Sequence, residues 1–201
     1  MPLNFLRQFS AAPNLLTLLR LFIIPFLVIE ILDGRFGWAF GLFVLAGVSD
    51  GFDGFLARRL HQHTRLGQYL DPIADKLLLS TLFVVLTHVG LVPRYVTVLV
   101  FSRDLGILLI STLLFATGAL RDFRPSLLGK LHTVAQIVGL TVVLVEQVWP
   151  SMHVGMLREW LLRSIAVLAP VSAAQYAWIV LHRMSEPGQG SGPRDQGPAE
   201  G

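Results

Sequence analysis

Long apolar runs alternate with short polar or Gly/Pro-rich punctuators along the chain. The runs predict six helices, at roughly 13–32, 37–59, 68–89, 94–117, 127–149 and 159–182. The breaks are LDGRFG, RLHQHTR, THVGLVPR, TGALRDFRPS and WPSMHVG. Each run is long enough for a hydrocarbon core of about 30 Å, which takes about 20 helical residues to cross. Residues 1–11, MPLNFLRQFSA, read as a short interfacial helix, and 185–201, SEPGQGSGPRDQGPAEG, as a disordered tail with almost nothing apolar to bury. The expected fold class is an all-α integral membrane protein: six transmembrane helices preceded by a short N-terminal interfacial helix, with residues 1–184 as the membrane domain. Arg7 followed by the apolar run Leu21–Leu32 looks like a signal peptide, but no small-residue cleavage site follows it, so it reads as a retained first span.

Composition strengthens this picture. The chain is 53% hydrophobic and 14% charged, with a mean hydropathy of +0.63; a soluble domain is about 25% charged. Its 16 Lys and Arg against 13 Asp and Glu give +3, an excess suited to topology and anionic membrane lipids. No basic run is interleaved with aromatics, so nucleic acid is not an expected partner. The absence of cysteine excludes disulfides, thiolate ligands and a thiol nucleophile.

Charge placement predicts an orientation. With a cytoplasmic N-terminus, Arg7, Arg58, Arg59, Arg65, Arg121, Arg124, Lys130 and Arg183 fall inside, against Arg35, Arg94 and Arg158 outside. Trp38, Tyr95, Trp149 and Trp160 then form an outer aromatic belt. Both termini are expected in the cytoplasm, with the protein in a bacterial inner membrane.

Against this apolar background, four aspartates stand out. Asp50 and Asp53 lie three apart near the inner end of the second span; Asp71 and Asp75 lie four apart near the inner start of the third. Those spacings put each pair on one helix face, and adjacent antiparallel helices bring the pairs together. A carboxylate at the centre of a membrane helix costs about 2.5–3.5 kcal/mol on insertion scales, and four together repel, so a strong cation is required. Oxygen donors alone point to Mg²⁺ or Mn²⁺, with two ions expected. Gly54 and Ala57 keep the shared face small, and Arg58 and Arg59 add phosphate-binding charge at the water boundary. Together these features suggest diphosphate or phosphoryl chemistry on a lipid.

The pattern Asp50-x2-Asp53-Gly54-x2-Ala57-Arg58-x8-Gly67-x3-Asp71-x3-Asp75 resembles the signature of the CDP-alcohol phosphatidyltransferases at every specified position. PNLLTLLRLFIIP, DPIADKLLL, SRD and GKLHTVAQ extend the similarity through nearly all six spans. The resemblance implies a six-helix fold, usually homodimeric, with a polar cavity open to the cytoplasm. It implies that Asp50, Asp53, Asp71 and Asp75 hold the metal ions and that Asp75 is also the general base. Gly54, Ala57, Arg58 and Gly67 would seat the CDP part of CDP-diacylglycerol. The implied reaction transfers the phosphatidyl group to an alcohol and releases CMP.

Other polar residues extend this reading. Asn14, Thr17 and Arg20 recur every three residues in span one. Helix capping and snorkelling are the plain explanations for Asn14 and Arg20; the family pattern favours lining of the nucleotide side. Arg103 and Asp104 form either a structural ion network or, through Arg103, a contact to an acceptor phosphate. Lys130, which recurs with Thr133 and Gln136, is the better acceptor-phosphate candidate, with interfacial anchoring as its alternative. His61 and His63 lack companion ligands and read as loop residues, while Glu30 and Glu146 read as interfacial. GKLHTVAQ resembles phosphatidylglycerophosphate synthases, which use glycerol 3-phosphate; SRD resembles cardiolipin synthases, which use phosphatidylglycerol. Glycerol 3-phosphate is the preferred acceptor, with inositol phosphate also open. An intramembrane prenyltransferase would have two separated aspartate motifs, and a cation transporter acids in both membrane halves; neither pattern matches this compact cluster.

Overall fold

A computed structural model describes residues 12–60, 65–116 and 127–185, with side chains at 17–51, 73–110, 112 and 127–182. Six helices follow in order: α1 (Ala12–Leu32), α2 (Phe36–Leu60), α3 (Arg65–His88), α4 (Arg94–Ala116), α5 (Leu127–Val148) and α6 (Met152–Ser185). No strand occurs among the described residues. The expected N-terminal interfacial helix, the His61/His63 loop and the tail from residue 186 lie outside the described residues.

Two tight hairpins owe their geometry to glycine. Gly34 (φ +71°) and Gly90 (φ +81°) occupy the left-handed region, which glycine reaches without steric cost. Arg35 N–H donates to Glu30 O at 2.8 Å and Gly34 N–H to Ile31 O at 3.1 Å; Leu91 and Gly90 repeat this with Leu86 O and Thr87 O. These paired bonds close α1 and α3 as Schellman motifs and satisfy carbonyls that a helix end leaves bare. The turns α1–α2, α3–α4 and α5–α6 gather at one end of the bundle. Trp38, Tyr95 and Trp149 lie at helix ends beside these turns and Trp160 in α6; all four are exposed.

Two boundaries differ from the sequence expectation. The last helix begins at Met152, not 159, because Ser151 caps it: Ser151 Oγ accepts from Val154 N–H at 3.3 Å, and Ser151 O from Gly155 N–H at 3.0 Å. MHVG, read as loop, is therefore helical. Helix α3 starts at Arg65, three residues ahead of the expected 68.

Helix α1 packs chiefly on α2 and α3, α6 on α5 and α4, and α2 and α3 reach α5 to join the two halves. Leu27, Ile31, Ala46, Leu82, Phe83, Leu86, Leu140, Val143, Leu144 and Ile165 are essentially inaccessible and form the core. At the α5–α6 crossing Gly139 is needed for closeness, since a Cβ there would stand 2.6 Å from Ile165 Cδ1. The outer surface is also apolar: Phe22, Val98, Leu108, Leu109, Val167 and Trp178 are all more than 60% exposed, apart from Leu109 at 60%. Among the described residues, two helical segments, Leu127–Val148 and Met152–His182, are long and apolar enough to cross a membrane by length and composition.

Candidate functional site

Two ionic clusters lie on different faces of α3, where Asp75 and Lys76 are consecutive residues. About 100° of helical rotation separates neighbours, so Asp75 turns toward α1 and α2 while Lys76 turns toward α4.

The first cluster is organised by Arg20. Its side chain is fully buried, and its guanidinium donates through Nη2 to Asp50 Oδ1 at 2.7 Å and through Nη1 to Asp75 Oδ1. The snorkelling alternative for Arg20 is thereby overturned: the cation points into the bundle because two carboxylates from α2 and α3 supply its countercharge. Those carboxylates remain about half exposed, at 49% and 46%, so they face a solvated space while the arginine closes its floor. Thr17, one turn before Arg20 on α1, is also fully buried.

Asp53 is one turn beyond Asp50 in α2, and Asp71 one turn before Asp75 in α3. Their side chains lie outside the described residues, as do those of Asn14, Gly54, Ala57, Arg58 and Gly67, which occupy helical positions at the same ends of α1, α2 and α3. Among the described residues no three His, Asp or Glu side chains form a metal-ligand group. The donor chemistry nevertheless fits a hard cation: Asp50 and Asp75 offer only carboxylate oxygen and already converge on one positive group.

The second cluster inverts the charge ratio. Asp104 Oδ1 accepts from Arg103 Nη1 at 2.6 Å, and its Oδ2 from Lys76 Nζ at 2.5 Å. Arg103, itself buried, donates from Nε to Ser172 Oγ on α6 at 3.1 Å. Nη2 has no hydrogen-bond partner among the described residues. The ion network expected for Arg103 and Asp104 is thus present, and Lys76 and Ser172, which the sequence did not single out, belong to it. Lys130 is exposed in the first turn of α5, and no ion pair or hydrogen bond joins it to Arg103 among the described residues. Glu30 binds Arg35 at 2.7 and 3.0 Å, and Glu146 binds Arg158 at 2.8 Å, as anchors at the hairpin end.

The family model of the CDP-alcohol phosphatidyltransferases matches residues 10–174. The chain belongs to that family. Its resemblance to phosphatidylglycerophosphate synthases and cardiolipin synthases is also reflected in its relatives. It is 32% identical over 150 residues to the CDP-diacylglycerol–glycerol-3-phosphate 3-phosphatidyltransferase of Bacillus subtilis, covering 67% of this chain and 76% of that protein. The enzyme of the same name from Salmonella choleraesuis is 37% identical over 139 residues, covering 66% and 75%. Rat cardiolipin synthase (CMP-forming) is 34% identical over 144 residues, covering 63% and 47%. The chain thus spans about half the length of the rat and human cardiolipin synthases it matches.

Proposed function

We propose that the chain is a membrane phosphatidyltransferase of phospholipid synthesis, moving the phosphatidyl group of CDP-diacylglycerol to an alcohol and releasing CMP. The observation that carries this reading is the joining of Asp50 and Asp75, from separate helices, by a buried arginine, within a chain of this family. Asp50, Asp53, Asp71 and Asp75 would hold Mg²⁺ or Mn²⁺, two ions being the expected number. When bound, the metal neutralises the diphosphate and the charge developing on the leaving phosphate.

Asp75 accepts the proton of the acceptor hydroxyl. The resulting oxygen attacks the lipid-linked phosphorus; a P–O bond forms there as the P–O bond to CMP breaks. Gly54, Ala57, Arg58, Gly67, Asn14 and Thr17 seat the CDP portion. On the acceptor side, Arg103 receives the phosphate. Lys130 contributes only at the cavity mouth, consistent with its exposure and its lack of a link to Arg103.

Glycerol 3-phosphate is the favoured acceptor, giving phosphatidylglycerophosphate. The bacterial relatives named for that reaction, both covered over about three quarters of their length, support it. The cardiolipin synthases among the relatives support a second reading in which phosphatidylglycerol is the acceptor. This reading includes six spans, cytoplasmic termini and active site in a bacterial inner membrane, a homodimer, and residues 1–184 as the catalytic domain ahead of a tail. The excess of basic residues at the aspartate end of the helices supports the orientation.

Purified protein in mixed micelles with CDP-diacylglycerol and Mn²⁺ or Mg²⁺ is expected to release CMP with glycerol 3-phosphate or phosphatidylglycerol, and to stop on addition of EDTA. Folded protein that releases no CMP with either acceptor defeats the proposal.

A further inference from the structure

Helix α5 carries a buried polar pair whose hydrogen bonding is incomplete. His132 and Gln136 are one turn apart, 0% and 1% exposed, with Gln136 Nε2 3.0 Å from His132 Nε2. An amide nitrogen only donates, so the imidazole nitrogen facing it accepts, and the neutral ring carries its proton on Nδ1. That leaves one donor, His132 Nδ1–H, and one acceptor, Gln136 Oε1, and both are buried without a partner. On α6, which packs along α5, Gln175 Oε1 is likewise buried and unpartnered. It lies three residues after Ser172, the hydrogen-bond partner of Arg103, and so shares that face of the helix.

Leaving a buried polar atom unpaired is costly, so the pair on α5 calls for a ligand that completes it. The surroundings restrict its chemistry. Helix α6 links the pair to the second cluster, since α5 packs along it and Arg103 donates to its Ser172. In that group two cations share one carboxylate, leaving an excess of one positive charge, and Arg103 Nη2 is uncommitted. A hydroxyl both donates and accepts, which matches the donor and acceptor left over on α5; a phosphate matches the excess charge beside them.

We infer that His132 and Gln136, with Gln175 on the neighbouring helix, read a non-reacting hydroxyl of an acceptor whose phosphate sits at Arg103. The ligand class is a glycerol phosphate unit, either free or as a lipid headgroup. This assignment rests on the transferase reading and makes the pair a specificity determinant, since a site built to bind a hydroxyl rejects an analogue lacking it.

The test compares acceptors in the full-length protein. sn-Glycerol 3-phosphate is paired with 3-hydroxypropyl phosphate, which lacks the secondary hydroxyl. In the lipid arm, phosphatidylglycerol is paired with its propanediol counterpart. Wild-type protein is expected to prefer the hydroxyl-bearing member of one pair by at least about tenfold in kcat/KM, and the arm in which this occurs identifies the source. Gln136→Met is expected to raise the KM for that acceptor about tenfold, leave the KM for CDP-diacylglycerol within about twofold, and bring the preference close to unity. His132→Leu removes the donor instead of the acceptor and is expected to do the same, so the result does not depend on one variant folding. Wild-type transfer that ignores the hydroxyl, or variants that retain the preference, overturn the inference and leave the transferase reading intact. Absence of CMP release with every acceptor removes that reading and the inference together.

Discussion

The Arg20 and Arg103 clusters are built from the same two side-chain chemistries in opposite ratio. Around Arg20, one guanidinium is shared by two carboxylates; around Asp104, one carboxylate is shared by two cations. The first is short of positive charge and suited to metal ions, the second short of negative charge and suited to a phosphate. Each ratio matches the sign of the ligand proposed for it, metal ions at the first cluster and a phosphate at the second. Helix α3 contributes one residue to each, Asp75 and Lys76, and thereby sets the two sites back to back. For a transfer between a diphosphate donor and a phosphate-bearing acceptor, that arrangement puts each substrate's charge on its own side of one helix.

The most severe way to break the distinction is Asp75→Asn, which keeps the shape and the hydrogen bond but removes the base. CMP release is expected to fall by about 10²–10⁴-fold in kcat, with the KM for glycerol 3-phosphate little changed. A matching loss in acceptor KM would mean that the two clusters do not divide the substrates. The reciprocal change, Arg103→Met, acts on the other side. Loss of a charge-assisted hydrogen bond worth about 1.5–3 kcal/mol predicts an acceptor KM raised by about 10–150-fold, with the donor KM preserved; steady-state kinetics with each substrate varied in turn reads both.

A smaller effect is expected from Arg20→Gln, measured as stability. Removing the cation shared by Asp50 and Asp75 is expected to lower the unfolding free energy by about 1–3 kcal/mol, less than for a fully buried pair because both carboxylates are half exposed. Mn²⁺ should raise Tm more in the variant than in wild type if metal and arginine answer the same charge deficit. An equal or smaller rise would show that they do not. The mildest change is a control remote from both clusters: Gly139→Ala places a methyl against Ile165 and should cost about 1 kcal/mol in thermal unfolding while leaving both KM values unaltered.

Much of this was legible in the chain. Hydropathy and breakers located the six helices among the described residues, and LDGRFG and THVGLVPR marked turns in which Gly34 and Gly90 adopt positive φ. The last helix was misjudged because Pro150 and Gly155 looked like one continuous break, whereas Ser151 starts a helix between them. That aspartates of α2 and α3 converge followed from their spacing, but α1 joins Asp50 and Asp75 through Arg20. The role of Arg20 did not follow, because a lone arginine near a helix end reads equally well as a snorkelling anchor. Lys76 and Ser172 were missed because neither is distinctive until its neighbours are known. His132 and Gln136 did carry a signal, a polar pair four residues apart on an apolar helix, but their burial and unsatisfied atoms are visible only in three dimensions.

The sequence alone determined the helical class, the family and the four aspartates, since hydrophobic period and fixed spacing are local properties of the chain. Tertiary structure decided which charges meet. Arg20, Asp50 and Asp75 come from α1, α2 and α3, and Lys76, Asp104 and Ser172 from α3, α4 and α6. Burial of Arg20 and Arg103 fixes those meetings, because a guanidinium withdrawn from water must find its countercharge among the groups that packing brings within reach.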